Sequence, residues 1–158
     1  MADNETKELP ELKANYLKDL SFETPAGANI LLVDWEPKLE AKIGLTASRM
    51  DKHAWEVVLM LEVTVKIKKL TVILIEAHQA GVFIAKDMDL ELLRKFVAED
   101  VPALLFPDVT ETIRVLCRSG SFPGIEFEPI DFSKGFFKIG VDEFRQPGEN
   151  IQAAIADL

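Results

Sequence analysis

Cysteine is nearly absent from this 158-residue chain: Cys117 stands alone, so no intramolecular disulfide can form, and a secreted fold stapled by bridges is excluded. A reducing, cytoplasmic setting is expected. Histidine is almost as scarce, and His53 and His78 fall on different predicted elements with no cysteine or further histidine at ligand spacing, which leaves a zinc site without support. Lys and Arg number 18 against 27 Asp and Glu, a formal charge of -9 that makes phosphate backbones and anionic lipid surfaces poor partners. No 18-residue apolar run is present to span a bilayer, and the acidic stretch from Met1 to Glu11 lacks the basic flank and apolar centre of a secretory signal. Motif chemistry is missing too. Ser119-Gly120-Ser121 has neither the spacing nor the lysine of a phosphate loop, and no serine sits in Gly-x-Ser-x-Gly. Glu23, Glu62 and Glu76 could form an acid/base pair, but nothing local desolvates them, so neither an enzyme nor a cofactor is expected.

What the chain has is apolar residues in quantity, 48% of the total against 28% charged, enough for a single globular core. Residues 1–15 read as a loose acidic leader. From Lys38 the residues alternate, with Leu39, Ala41, Ile43 and Leu45 on one side of a half-buried strand. Ala54 to Ile67 repeats the pattern through Trp55, Val57, Leu59, Leu61, Val63, Val65 and Ile67. Lys68-Lys69 interrupts it, and Leu70 to Ala85 resumes it, so two long antiparallel strands joined as a hairpin are predicted. Phe22 to Val33 is a weaker fourth strand, and the short connections favour a meander.

After Asp87 the spacing turns helical at Leu90, Leu93, Phe96 and Val97, with Asp87 or Asp89 able to cap and Pro102 closing the segment. A second helix is predicted from Pro107, with Val109, Ile113, Leu116 and Cys117 as its apolar stripe and Gly120 as a left-handed stop. Ser121 to Phe132 is an extended, proline-restrained loop, and the tail could form a short helix through Ile151, Ala154, Ile155 and Leu158. The fold class is therefore α+β.

Two features stand apart from this frame. The even-numbered face of the hairpin carries Val58, Met60, Val72 and Leu74 among Glu56, Glu62 and Glu76, which is either a contact surface with an acidic rim or a solvated face with scattered apolar residues. Five of the ten phenylalanines, Phe122, Phe127, Phe132, Phe136 and Phe137, crowd one loop-rich stretch, where they either line an apolar groove or pack beneath the loop. Two modest helices also leave more apolar length than one protomer buries, so a symmetric homo-oligomer is plausible.

The ordered set Lys18-Asp19-Leu20-Ser21-Phe22-Glu23 with Pro25, Asp34-Trp35 with Pro37, Glu56-Val57-Val58-Leu59, and Leu105-Phe106-Pro107 with Glu111 and Ile113 resembles the SecB protein-export chaperones. Gly120, Phe122-Pro123, Pro129 and Asp131-Phe132 extend the likeness, which runs over residues 16–137 and leaves 138–158 as an unmatched tail. The resemblance implies a four-stranded antiparallel sheet with helices packed on one face, assembled as a homotetramer, a dimer of dimers. It implies an ATP-independent holdase that binds unfolded preproteins and delivers them to the SecA motor ATPase for export. The SecA-contacting positions fall on Asp19, Glu23, Leu74 and Glu76. Positions tied to association of the dimers carry Ile73, Ile75, Ala77 and Gln79, and Trp35 and Phe136 match aromatic positions of the client groove. Two alternatives are a SecB-like chaperone of an antitoxin, and an α+β domain that binds a small molecule in the aromatic groove.

Overall fold

The computed structural model describes residues 9–144 together with 150–152 and 156–157. Its centre is an antiparallel sheet of four long strands, β1 (Glu11–Glu23), β2 (Lys38–Arg49), β3 (Ala54–Ile67) and β4 (Leu70–Ile84), in the order β1-β4-β3-β2. Two short tail strands, β5 (Asn150–Gln152) and β6 (Ala156–Asp157), line the outer side of β2. β2, β3 and β4 form the expected meander. β1 breaks it by returning beside β4, so the four long strands make a Greek key and residues 24–37 cross from one edge of the sheet to the other.

Alternation places the odd-numbered residues of β2, β3 and β4 on one face, because Ile43, Leu61 and Ala77 share a cross-strand row, as do Leu45, Leu59 and Gln79. That face is the core. Every odd residue of β3 from Trp55 to Ile67 is buried, and β4 adds Ile73, Ile75, Ala77 and Phe83.

β1 is the element that alternation misplaces. Its last residues, Phe22 and Glu23, open the stretch expected as a weak strand, whereas Ala28–Leu32 form a 3-10 turn. Its first residues occupy the expected leader from Glu11 onward. Register shifts between Leu12 and Ala14 and between Leu17 and Asp19 leave Leu12, Asn15, Leu17, Leu20 and Phe22 on the core side, a 3-2-3-2 spacing.

The covering layer is α1 (Leu90–Lys95) and α2 (Val101–Ser119), joined by a wide π turn over Phe96–Asp100. The predicted break at Pro102 and restart at Pro107 are thus corrected: the chain stays helical from Leu90 to Ser119. Pro102 lies in the first turn of α2, where its missing N–H is tolerated after the widened turn, and Pro107 sits inside the helix, where it leaves the carbonyl of exposed Ala103 without its i+4 donor. Asp89 holds the N-cap position of α1, yet its side chain makes no capping bond.

The stop of α2 also differs from expectation, since Gly120 has φ -82° and Ser121 is the left-handed residue at φ 61°. Gly120 is required for closeness instead: a Cβ there would lie 2.8 Å from the Phe22 ring and 2.9 Å from that of Phe122. The stripe Val109, Ile113 and Cys117 is buried as expected, and burial raises the Cys117 thiol pKa. Tail residues Ile151 and Gln152 are strand rather than helix, while Ala154, Ile155 and Leu158 lie outside the described residues.

Candidate functional site

With one face of the sheet under the helices, the other shows what the even-numbered residues offer. Three strands set a grid there: Glu23 opposite Leu74 opposite Thr64, Ser21 opposite Glu76 opposite Glu62, and Asp19 opposite His78 opposite Met60. Asp19, Glu23, Leu74 and Glu76 are therefore brought together on one face, although β1 and β4 are far apart in sequence. The bulge at Lys18 returns Asp19 to this face after Leu17 has faced the core. Ser21, Glu23, Glu62, Leu74 and Glu76 line a shallow depression of about 220 Å³.

Electrostatically this patch is costly to the protein on its own. Glu62 and Glu76 stand directly opposite each other, a like-charge pair that weakens a ladder. Lys42 opposite Glu62 and His78, with Nε2 2.8 Å from Glu76 Oε1, offset part of this. The apolar island is smaller than the sequence suggests: Val58 is buried, and Val72, the residue left over at a bulge in β4, joins the core. Met60 and Leu74 remain half-buried at the centre of the acids.

Beyond them Tyr16 reaches across β4 at Ala80 and donates its hydroxyl to Glu56, which also receives Lys18. Burial pushes the Glu56 carboxyl up, but the bonds from Lys18 and Tyr16 outweigh it and hold the group below the usual glutamate range. The same bond raises the Tyr16 pKa.

A second surface lies where residues 24–37 cross the end of the sheet. Leu31, Leu32 and Val33 are at least half exposed, as is Leu70, and Leu39 is nearly so. Between this crossover and the β3–β4 turn lies a depression of about 910 Å³, lined by Leu32, Val33, Ile67 and Leu70 together with the charged Asp34, Glu36, Lys68 and Lys69. Sequence reading missed it because Ile30-Leu31-Leu32-Val33 has the composition of a buried strand. Only Ile30 is buried.

Trp35 and Phe136 do not meet in the ring contacts of the structure. Trp35 is tilted against Phe122 with centroids 5.6 Å apart, whereas Phe136 belongs to a second cluster, 5.4 Å from Phe132 and 5.0 Å from Phe137. Both are half-buried. Phe122, Phe132 and Phe137 are buried, so most of the aromatic stretch packs beneath its loop and two rings stay accessible at its margin.

Ile73, Ile75, Ala77 and Gln79 all lie on the helix-covered face and are buried within this single chain. Gln79 is instructive: its Nε2 donates to Asn15 Oδ1 at 2.7 Å, and Asn15 Nδ2 donates to Asp108 Oδ2 at 2.7 Å, linking β4, β1 and α2.

Among the described residues no three metal-ligating side chains converge, and no helix is long and apolar enough to cross a membrane. An open acidic face with an apolar centre and a separate exposed apolar depression define a module for binding other polypeptides. The chain belongs to the SecB family: residues 3–139 match the family described as Preprotein translocase subunit SecB. It is 36% identical over 121 residues to the protein-export protein SecB of Hahella chejuensis, covering 77% of this chain and 76% of that one. The SecB of Buchnera aphidicola is 35% identical over 132 residues, 84% of this chain and 93% of the relative, and that of Legionella pneumophila 37% over 117 residues, 74% and 72%. Among solved structures, a SecB-like chaperone of Mycobacterium tuberculosis in complex with an antitoxin peptide shares the fold. Its TM-score is 0.58 at 16% identity, over 77% of this chain and 90% of that one.

Proposed function

We propose that this protein is a non-catalytic, ATP-independent cytoplasmic holdase that binds unfolded preproteins and delivers them to the SecA motor. Family membership supports the preprotein role, and the observation that carries the holding step is the cluster of exposed Leu31, Leu32, Val33, Leu39 and Leu70 beside an open depression. Apolar burial is not directional, so such a surface takes extended chains without reading their sequence. Capture is then many weak contacts held by avidity, which requires several protomers.

A homotetramer, a dimer of dimers, supplies them. The outer edge of β1 has no strand beside it among the described residues, and Leu12, Leu17 and Leu20 are partly exposed along it. An edge with apolar side chains of that length favours pairing with another copy. Transfer is assigned to Asp19, Glu23, Leu74 and Glu76, where charge steers SecA and Leu74 anchors it.

The test is to mix the protein with a slowly refolding preprotein. Retarded refolding and a complex on a sizing column are expected; their absence refutes the holdase. An antitoxin as client has one observation in its favour, the peptide bound by the Mycobacterium tuberculosis chaperone. Relatives at 35–37% identity named for protein export outweigh a 16% likeness.

A further inference from the structure

At the end of β3 where Ala54 follows the β2–β3 turn lies a third concavity, apart from both surfaces described above. The 14 residues of β3, at about 3.3 Å each, place it about 45 Å along the strand from the crossover depression. The β2–β3 turn, the end of β4 and a 3-10 turn over Val141–Phe144 border an open pocket of about 220 Å³. Its floor is apolar, made by buried Trp55, Phe144 and Leu93, with the two rings tilted at 5.7 Å. Its rim carries Arg49, Lys52, His53 and Asp87. At about 30 Å³ per water the space equals about seven waters, the bulk of one large amino-acid residue and too little for a length of extended chain.

The turn that carries this rim holds it in place. Asp51 Oδ1 accepts the N–H groups of His53 at 2.9 Å and Ala54 at 2.8 Å, and the Ala85 N–H donates to the His53 carbonyl at 2.7 Å, which ties the turn to the end of β4. Arg49 closes the turn, donating Nε to the Asp51 carbonyl at 3.1 Å and Nη2 to the Lys52 carbonyl at 2.7 Å. Its other N–H groups are left for a ligand. Among the described residues neither Arg49 nor Lys52 forms an ion pair, on a chain where 27 acids face 18 bases. Asp87, held at φ 48°, adds one carboxylate that is likewise unpaired among them.

Two cations without an acid, a lone carboxylate and a floor of aromatic and aliphatic carbon complement a single small amphipathic unit. We propose that this pocket binds an apolar amino-acid unit by its α-carboxylate, taken from the C-terminal residue of a polypeptide or from a free amino acid. The carboxylate pairs with Arg49 and Lys52, the side chain rests on Trp55, Phe144 and Leu93, and the α-nitrogen, as amide N–H or as ammonium, donates to Asp87. An inorganic anion would leave the floor uncovered, and a neutral apolar molecule would leave the cations unneutralised. The pocket reads one end of a chain where the depression holds its length, and it does not rest on the holdase reading.

The full chain with Trp35→Phe keeps Trp55 as its single tryptophan and serves as the reporter. N-acetyl-L-leucine is expected to shift Trp55 emission saturably, with a dissociation constant of about 1 mM, the range open to so small a ligand. N-acetyl-L-leucinamide, which lacks the charge, should bind at least about tenfold weaker. Lys52→Gln should weaken the acid about fivefold and leave the amide unchanged. The Lys52 side chain is exposed on the turn, and an unchanged urea midpoint shows that the fold is kept. The peptide Ala-Ala-Ala-Leu and free L-leucine separate the sources: tighter binding of the peptide assigns a chain end, and tighter binding of leucine a free amino acid. Equal binding of acid and amide, an affinity for the acid untouched by Lys52→Gln, or a silent Trp55 together with no saturable uptake of the acid in equilibrium dialysis overturns the proposal. The refolding assay of the holdase uses none of these probes and stands or falls separately.

Discussion

Gly81 admits no side chain. A Cβ built there would lie 2.6 Å from Phe83 Cε2 and 3.6 Å from Leu105 Cδ2, at the contact between β4 and α2. Phe83 is buried and packed edge-on to Phe96 at 5.0 Å, so the ring has little room to yield. Gly81→Ala is expected to destabilise the chain by about 1–3 kcal/mol, read as a lower urea midpoint with unchanged slope. Glu76 has the opposite character. It is exposed and faces Glu62, so Glu76→Lys replaces a repulsive cross-strand pair with an attractive one and should leave stability within about 0.5 kcal/mol. SecA binding by the same variant is expected to fall about tenfold or more, with client retention unchanged. A parallel fall in urea midpoint would assign the loss to misfolding and withdraw Glu76 from the docking face.

Among the elements, β1 depends most on side chains outside itself. All of its residues except Phe22 are exposed, and Tyr16 and Lys18 fasten it across β4 to Glu56. The folded-state pKa of Glu56 is depressed below its ordinary 4.5, so its contribution to stability is present above that value and is lost as the pH falls through the lower folded-state value. The stability difference between the native chain and Glu56→Gln should hold steady around neutrality and shrink below about pH 4.5, measured by urea unfolding across that range. A difference that persists undiminished at about pH 3 would mean that the carboxylate does not hold β1. The same strand shows why legibility was uneven. β2, β3 and β4 were readable because an unbroken two-residue period maps straight onto a buried face, and that period also led to Leu74 and Glu76. In β1 two bulges each shift the period by one, so Leu12, Leu17 and Leu20 never align as a strand face in the sequence. Local rules also misread the prolines of α2 and the tail, since a π turn and an edge left open by β2 are decided by tertiary neighbours.

At the scale of the whole molecule, the fold separates two surfaces of different chemistry. The open sheet face gathers Asp19, Glu23, Glu62 and Glu76 around Leu74, on a chain of charge -9, whereas the crossover depression joins Ile30, Leu32, Val33, Ile67 and Leu70 with two acids, Asp34 and Glu36, and two lysines, Lys68 and Lys69, whose charges cancel. On the proposed roles these surfaces should differ in their response to salt, because screening shortens the reach of exposed charges from about 10 Å at 0.1 M to less than half that at 1 M, while apolar burial is not weakened. If several copies combine their depressions, a solution mass of about four times 17.7 kDa should persist at high salt. Raising sodium chloride from about 0.05 to 0.5 M should then weaken SecA binding about tenfold and leave retention of an unfolded preprotein within twofold. The two binding steps are measured on one preparation, so loss of assembly would appear in both. Should client retention fall as steeply as SecA binding while the mass stays constant, capture is electrostatic, and the exposed leucines of the crossover are not what holds the client.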